Sequence, residues 1–581
     1  MIAIFSKVKM NAKLIIGAVI FVIFATIGQM LAPAMVSVML TDGVNNKNYG
    51  LITGMAIAII SLTILACIMN LISTKLASKI TTRFCADLRK KFFHKVQTFS
   101  SAEIDKFGTA SLITRNTTDV TTIQNFLSQF FKLGMIGPLM AVAGVIMCVA
   151  YSGRIAVVLA IAVPVMMIIL VSLLIKASTY STKLREVIDK INELFLEAIE
   201  GVRVIRAFNK QKHEIERFGK VNEESSRISR KSIALSCAMY PVATTISGIT
   251  SIAAASVGTP LIIYGQMDAG SLLAVIQYIN IVLIASILTL TVASLFPDAS
   301  ACFKRINAVL DTEVSIKDNE KDTPEKTAKG TVEFRNVTFA YPNADEPVIK
   351  GISFVSKPGE TTAIIGRTGC GKSSIVKLIP RLYDTLFGDV KVDGVNVKDY
   401  KLNELRDLIG YVPQKNLLFT GDISENLNFG NENGTEDDWK EACRIACADE
   451  FVEKKDGTYH STVSQGGTNF SGGQRQRLAI ARAVMKKPEI YVFDDSFSAL
   501  DMKTDKILRQ NLKDSMGEAT MIVVAQRVNT IMDATRILVL DNGEVVGMGT
   551  HTELLKDCKL YREIAEIQLG EEEVRRELEL V

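Results

Sequence analysis

Apolar positions follow two patterns along the chain. In the first half they form long unbroken runs: windows 14–40, 51–74, 133–151, 155–175, 232–263 and 271–297 contain no Asp, Glu, Lys or Arg. Each meets or exceeds the roughly 17 to 25 residues a helix needs to cross hydrocarbon, which predicts six membrane helices. After residue 330 the pattern changes. Short strand-like runs such as TVEFRNVTFAY, TTAIIG and IYVFDD alternate with helix-like ones, predicting an α/β domain. The polar stretch DTEVSIKDNEKDTPEKTAKG, residues 311–330, reads as the linker between the two.

The segments between the spans are unequal. Lys75 to Arg115 carries Lys79, Arg83, Arg89, Lys90, Lys91 and Lys95, and Lys176 to Lys231 is similarly basic, whereas TDGVNNKNYG, YSGR and YGQMDAG are short and nearly bare. Basic residues stay on the cytosolic side, so the long segments, both termini and everything after residue 297 are expected there. Helical spacing in NELFLEAIEGVRVIRAFNKQKHEIERF predicts that the membrane helices extend into the cytosol. Breaks at Phe107-Gly108 and between Gly201 and Asn209 predict short cross-helices able to rest on a cytosolic domain.

Composition agrees with an apolar half joined to a soluble half: 48% of the 581 residues are hydrophobic and 22% charged. A formal net charge of +4 is small for this length and gives no reason to expect nucleic acid. Of the nine cysteines, only Cys443 and Cys447 lie close together, and with no histidine nearby they read as packing residues in a reducing setting. The run Leu14–Leu40 lacks a small-residue cleavage site and is too long for a signal core, so it reads as a retained helix.

The densest chemistry is in TTAIIGRTGCGKSS. Gly366, Arg367, Thr368, Gly369, Cys370, Gly371, Lys372, Ser373 and Ser374 follow an apolar strand and open a helix in the spacing G-x-x-x-x-G-K-S. Such glycines let backbone N–H groups curl around phosphate oxygens, Lys372 reaches the terminal phosphates, and the Ser373 hydroxyl ligates Mg²⁺. Asp494 ends the strand IYVFD, where a carboxylate holds the same Mg²⁺ through water.

With FSGGQRQRLAIARA, Phe470 to Ala483, added to these, the chain resembles a half-size ABC exporter over residues 10 to 570. The final EEEVRRELELV, residues 571–581, reads as a charged, solvated helical tail. The resemblance implies a transmembrane domain of six helices over 1–310 and an α/β P-loop ABC ATPase domain over 331–570, on either side of the linker at 311–330. It implies that ATP and Mg²⁺ are bound, that Tyr341 stacks on adenine, that Gln414 is the Q-loop glutamine sensing Mg²⁺ and the membrane domain, and that SALD, ending at Asp501, is the D-loop. It further implies a head-to-tail dimer in which Ser471, Gly472, Gly473 and Gln474 serve the ATP of the partner chain.

Two positions depart from the family pattern. Asp495 stands where a glutamate usually follows the metal aspartate, and Gln526 stands where the switch histidine is usual. Asp is shorter by one C–C bond, about 1.5 Å, and a misplacement of about 1 Å costs on the order of 10²-fold in rate. Gln526 hydrogen-bonds a phosphate but cannot carry the charge of a protonated histidine. The expectation is a site that binds ATP through intact parts, Lys372 among them, and hydrolyses it poorly. The intact signature then completes a competent site on a different partner, as in the degenerate-site subunits of heterodimeric exporters; a homodimer carries both departures twice. Gln465, in place of a glutamate common at a cross-chain contact, fits specialised pairing.

The spans carry no formal charge and few polar groups, Gln29, Asn70, Gln277 and Asn280, with methionines such as Met30, Met35, Met140 and Met166 that adapt to varied apolar ligands. Resemblance to multidrug exporters implies a small amphipathic, drug-like cargo, carried out of the cytosol or inner leaflet across the plasma membrane; by themselves the methionines read mostly as packing. Lipid or peptide export by a homodimer is an alternative. An ATP-gated channel or regulatory subunit is another, disfavoured because a channel is expected to line its pathway with charges.

Overall fold

A computed structural model describes residues 11–319, 321–342 and 344–579 of the chain. Residues 1–10 of the expected transmembrane domain and the last two residues of the expected tail lie outside the described residues. Among the described residues, six helical segments are long and apolar enough to cross a membrane. The chain divides into two compact units, residues 1–97 with 109–312, and residues 98–108 with 313–581.

In the first unit, helices α1 (Ala12–Val38) and α2 (Tyr49–Gln97) pack along each other. Asn11 caps α1 by accepting from Lys13 N at 3.1 Å. Outward-facing Ile16, Phe24, Ile57 and Ile64 are exposed in the isolated chain, as a lipid-facing surface requires. Threonines within the spans satisfy their hydroxyls on the preceding turn, as Thr63 does on Ile59 O at 2.8 Å. Helix α3 (Ser101–Phe107) belongs to the second unit. Beyond it come α4 (Ile136–Tyr151), α5 (Gly153–Glu200), the short α6 (Val202–Ala207), α7 (Gln211–Ile263), α8 (Ala269–Ser294) and α9 (Phe296–Leu310).

Close approach of α4 to α8 depends on Gly144, where a Cβ would stand 2.5 Å from Val282. Tyr278 is fully buried and donates to Met30 O at 2.7 Å, while Ser247 donates to Asn280. Met30 and Met166 are packed inside this helix core, with Met140 against it, so in the chain these methionines fill gaps between helices rather than offering an open ligand surface. Beyond the apolar windows Arg305 grips the buried Asp119 through two bonds of 2.6 and 2.8 Å, joining α9 to the 115–119 segment. Both expected breaks are present. Gly108, at φ +74°, ends α3, and α6 follows Gly201 and buries none of its residues.

The second unit holds two main sheets. Strands β1 (Val332–Phe339), β2 (Ile349–Ser356), β4 (Phe387–Val392) and β5 (Val395–Asn396) form an antiparallel sheet in the order β2-β1-β4-β5. Strands β3 (Thr361–Gly366), β6 (Ile409–Val412), β9 (Ile490–Asp494), β10 (Thr520–Val524), β11 (Arg536–Asp541) and β12 (Glu544–Gly549) form the other, in the order β12-β11-β3-β10-β9-β6. Four of its five pairings are parallel, and the fifth is the antiparallel β11–β12 hairpin at the edge, turned by Asn542 and Gly543, both at positive φ as a tight hairpin demands. A minor pair, β7 (Gly421–Asp422) and β8 (Thr462–Val463), stands apart.

Alternation along the parallel strands builds two cores. Ile490, Val492, Ile522 and Val524 point to one face, Tyr491, Phe493, Met521 and Val523 to the other. Among the helices packed with these sheets are α10 (Lys372–Leu378), α11 (Gly472–Met485), α12 (Met502–Ser515), α13 (His551–Asp557), α14 (Lys559–Leu569) and α15 (Glu571–Glu579). Helix α3 sits on it through Tyr383 OH, which donates to Asp105 Oδ2 at 3.2 Å, and Ser315 N, which donates to Glu103 Oε1 at 3.0 Å. Residues 571–579 are helical, but they are not simply solvated: Val574 is buried, and Glu577 Oε2 lies 2.8 Å from His551 Nε2.

Candidate nucleotide site

The apolar strand β3 ends at Gly366 and the chain turns into α10 through the glycine loop. Gly371 adopts φ +99°, and a Cβ there would stand 3.0 Å from Val348 O, so only glycine fits. Lys372 Nζ lies across its own loop, donating to Gly366 O at 2.9 Å and Arg367 O at 2.8 Å. Cys370 is tucked beneath the loop, where burial pushes its thiol up.

A cavity of about 310 Å³ opens in front of this loop. It gathers Tyr341, Val348, Thr368, Gly369, Gly371, Lys372, Ser373, Ser374, Gln414, Asp495, Val524 and Gln526 from segments far apart in sequence. The Tyr341 ring stands edge-on to Phe339 and Tyr383, with centroids 4.9 and 5.2 Å away, and its hydroxyl is 2.9 Å from Ser374 Oγ. An aromatic fixed at one end of a phosphate-sized loop offers a stacking wall for a flat base.

Two adjacent carboxylates close the other end. Asp494 is buried at the tip of β9 and accepts from Ser373 Oγ at 2.7 Å and Tyr411 OH at 3.3 Å. With Gln414 these supply hard oxygen donors of the kind Mg²⁺ takes, so the residues fit that ion, which when bound neutralises phosphate charge. Asp495 takes φ +52°, and its Oδ2 accepts from Gln526 Nε2 at 2.8 Å and Gln414 Nε2 at 3.3 Å. Burial pushes its carboxyl above the ordinary range; the Gln414 bond opposes that, and the neighbouring Asp494 charge adds to it.

Ser471, Gly472, Gly473 and Gln474 do not line this cavity. They lie at the N-terminus of α11, where Ser471 and Gln474 form a reciprocal cap and Ser471 and Gly472 are exposed. Asp501 caps α12 by accepting from Thr504 N at 3.0 Å, and Gln465 is exposed. Sequence reading passed over Tyr411 and Gln476. Buried Gln476 donates to Asp495 O at 3.2 Å and accepts from Ala499 N at 3.2 Å, tying α11 to the segment after β9. Its only sequence signal was its place inside the quoted signature stretch.

Together, a glycine loop on a parallel sheet, an aromatic wall, a carboxylate pair and a signature segment exposed at the start of its helix, downstream of six apolar helices, define an ATP-dependent membrane transporter half. Residues 14–287 match the ABC transporter transmembrane region and residues 349–498 match the ABC transporter domain. An uncharacterized ABC transporter ATP-binding protein of Mycobacterium tuberculosis is 38% identical over 549 residues, covering 94% of each chain. An ATP-dependent lipid A-core flippase of Haemophilus influenzae is 30% identical over 546 residues, covering 91% of this chain and 90% of its own. Among solved structures, a bacterial Atm1-family ABC exporter with ATP bound superposes with a TM-score of 0.78 at 21% identity, over 95% of this chain and 97% of that one. This chain belongs to the ABC transporter family, as a half-size chain with the exporter fold: six membrane helices and one ABC ATPase domain.

Proposed function

We propose that this chain is one half of a heterodimeric ATP-driven exporter, with its ATP site built to hold nucleotide and to hydrolyse it slowly. The observation that carries the reading is the grip on Asp495. Its Oδ2 is engaged by two carboxamides, Gln526 and Gln414, neither of which accepts a proton as a histidine would. A carboxylate one methylene short and bonded to amides is poorly placed to orient an attacking water. The holding parts, Lys372, Ser373, Asp494, Gln414 and Tyr341, surround the same cavity or its metal edge.

The Ser471–Gln474 segment, with Gly366–Ser374 facing it from a second chain, would complete a composite site there, and a partner with the usual glutamate and histidine makes that site the fast one. Nucleotide-driven closure passes to the membrane helices through α3, whose Asp105 accepts from Tyr383 of the ABC domain and whose Glu103 accepts from Ser315 of the linker. The basic long segments favour a cytosolic ABC domain and cytosolic termini, in a plasma membrane. The uncharged spans favour an amphipathic, drug-like cargo. Similarity to a lipid A-core flippase supports a second reading in which the cargo is a lipid.

Steady-state ATPase activity of the purified chain in lipid, against the chain carrying Asp495→Glu with Gln526→His, tests the reading. Near-zero activity that the pair of changes raises on the order of 10²-fold supports it. Brisk activity indifferent to both means that Asp495 suffices and a homodimer works.

A further inference from the structure

The backbone of the loop carrying Gln526 is gripped on both sides of Arg527 by one side chain from a distant helix. Between the last ladder-like bond of this segment, Ala525 N to Ile364 O, and the turn at Val528–Thr530, the backbone has no strand neighbour of its own. Gln568, in the last turn of α14, fills that role. Its Oε1 accepts from Val528 N at 2.7 Å and its Nε2 donates to Gln526 O at 2.8 Å, so one carboxamide bridges the loop on both sides of Arg527. Only a primary amide offers a donor and an acceptor in that fixed relation. Gln526 then reaches inward to Asp495 Oδ2 at 2.8 Å.

The support under Gln568 is firm. Tyr561 and Ala565 on the same helix are fully buried. Tyr561 OH lies 2.7 Å from His551 Nδ1, and Glu577 of α15 engages the other nitrogen of that ring at 2.8 Å. The helix also meets the phosphate loop through Glu563 and Arg367, but that pair is 3.8 Å apart and exposed, and contributes little. Arg527 adds a second restraint, donating to Ser498 O and Leu500 O at 3.1 and 3.2 Å.

We propose that Gln568 is a positioning residue for ATP hydrolysis. It sets where the Gln526 amide stands relative to Asp495, so the C-terminal helices tune the rate of a site they do not line. The proposal rests on the reading of Gln526 as the residue at the terminal phosphate. It assigns work to a region beyond residues 349–498, the stretch that matches the ABC transporter domain.

The test is single-turnover hydrolysis of Mg·ATP at saturating nucleotide by the full chain in lipid, with ATP affinity measured in parallel. Four variants are compared: Gln568→Leu, which keeps the volume and loses both bonds; Gln568→Glu, which keeps only the acceptor for Val528 N; Gln526→Ala; and Gln526→Ala combined with Gln568→Leu. The expected result is a rate about tenfold lower for Gln568→Leu, a smaller loss for Gln568→Glu, unchanged ATP affinity in both, and a combined variant no slower than Gln526→Ala alone. An unchanged rate in Gln568→Leu and Gln568→Glu, losses that multiply in the combined variant, or affinity falling together with rate would overturn it. If Gln526→Ala leaves the rate untouched, the reading of Gln526 falls and the proposal with it. A rate sensitive to Gln526→Ala and indifferent to Gln568→Leu sinks the proposal alone.

Discussion

Asp494 and Asp495 are neighbours in the chain and answer to different parts of the fold. Asp494 closes a parallel strand buried on both faces, and its partners, Ser373 and Tyr411, are hydroxyls fixed by a helix start and a neighbouring strand. Asp495 has left the strand in a left-handed conformation, and its partners are carboxamides from two loops. Hydroxyls beside a carboxylate re-aim at low cost when a cation arrives. Two amides converging on one carboxylate oxygen hold it in place as an acceptor. The metal aspartate therefore rests on regular structure, and Asp495 is held by loops whose positions are borrowed from elsewhere.

The largest effect should come from removing the binding cation. Lys372→Ala is expected to weaken ATP binding about 10- to 100-fold, the worth of a charge-assisted bond of roughly 1.5–3 kcal/mol, read by titration with a fluorescent ATP analogue. An affinity as strong as the parent's would remove the phosphate loop from the account. The two aspartates sharpen the contrast next. Asp494→Asn is expected to abolish the several-fold gain in affinity that Mg²⁺ brings, whereas Asp495→Asn is expected to preserve it, measured by the same titration with and without a chelator. Equal losses in both would erase the division drawn between them.

Much of this organisation is legible in the sequence, for physical reasons particular to each element. Six uncharged runs allow few structures other than membrane helices, and Gly108 and Gly201 mark the ends of helical periodicity where the chain does turn. The glycine loop is legible because its geometry admits few residues, as the space at Gly371 shows. Three features were not legible. The wider turns at Met39–Val44, Arg115–Asp119 and Phe130–Gly134 have no composition of their own, because they absorb packing of one helix on another. The docking of α15 depends on His551, twenty-six positions before Glu577 in the chain. The grip on Asp495 joins residues 414, 495 and 526, which only the β6-β9-β10 strand order brings together.

A smaller effect concerns pH. Burial raises the Asp495 carboxyl above its ordinary value near 3.9, so folding favours its neutral form, and stability is lost as pH rises from the ordinary value through the raised one. Below the ordinary value the group contributes nothing. Asp495→Asn is therefore expected to melt slightly higher than the parent at neutral pH, with the difference vanishing in strong acid. A variant that melts lower at neutral pH would mean that the two amides stabilise the carboxylate more than burial penalises it.

The most direct test of the central claim is the chemical state of nucleotide retained by the chain. After incubation with Mg·ATP for many minutes and rapid removal of free nucleotide, acid extraction of the purified chain in lipid should release mostly intact ATP, and Asp495→Glu with Gln526→His should convert that pool to ADP. Recovery of ADP from the unaltered chain would contradict the account, because it would show that Asp495, held by its two amides, hydrolyses ATP as it stands.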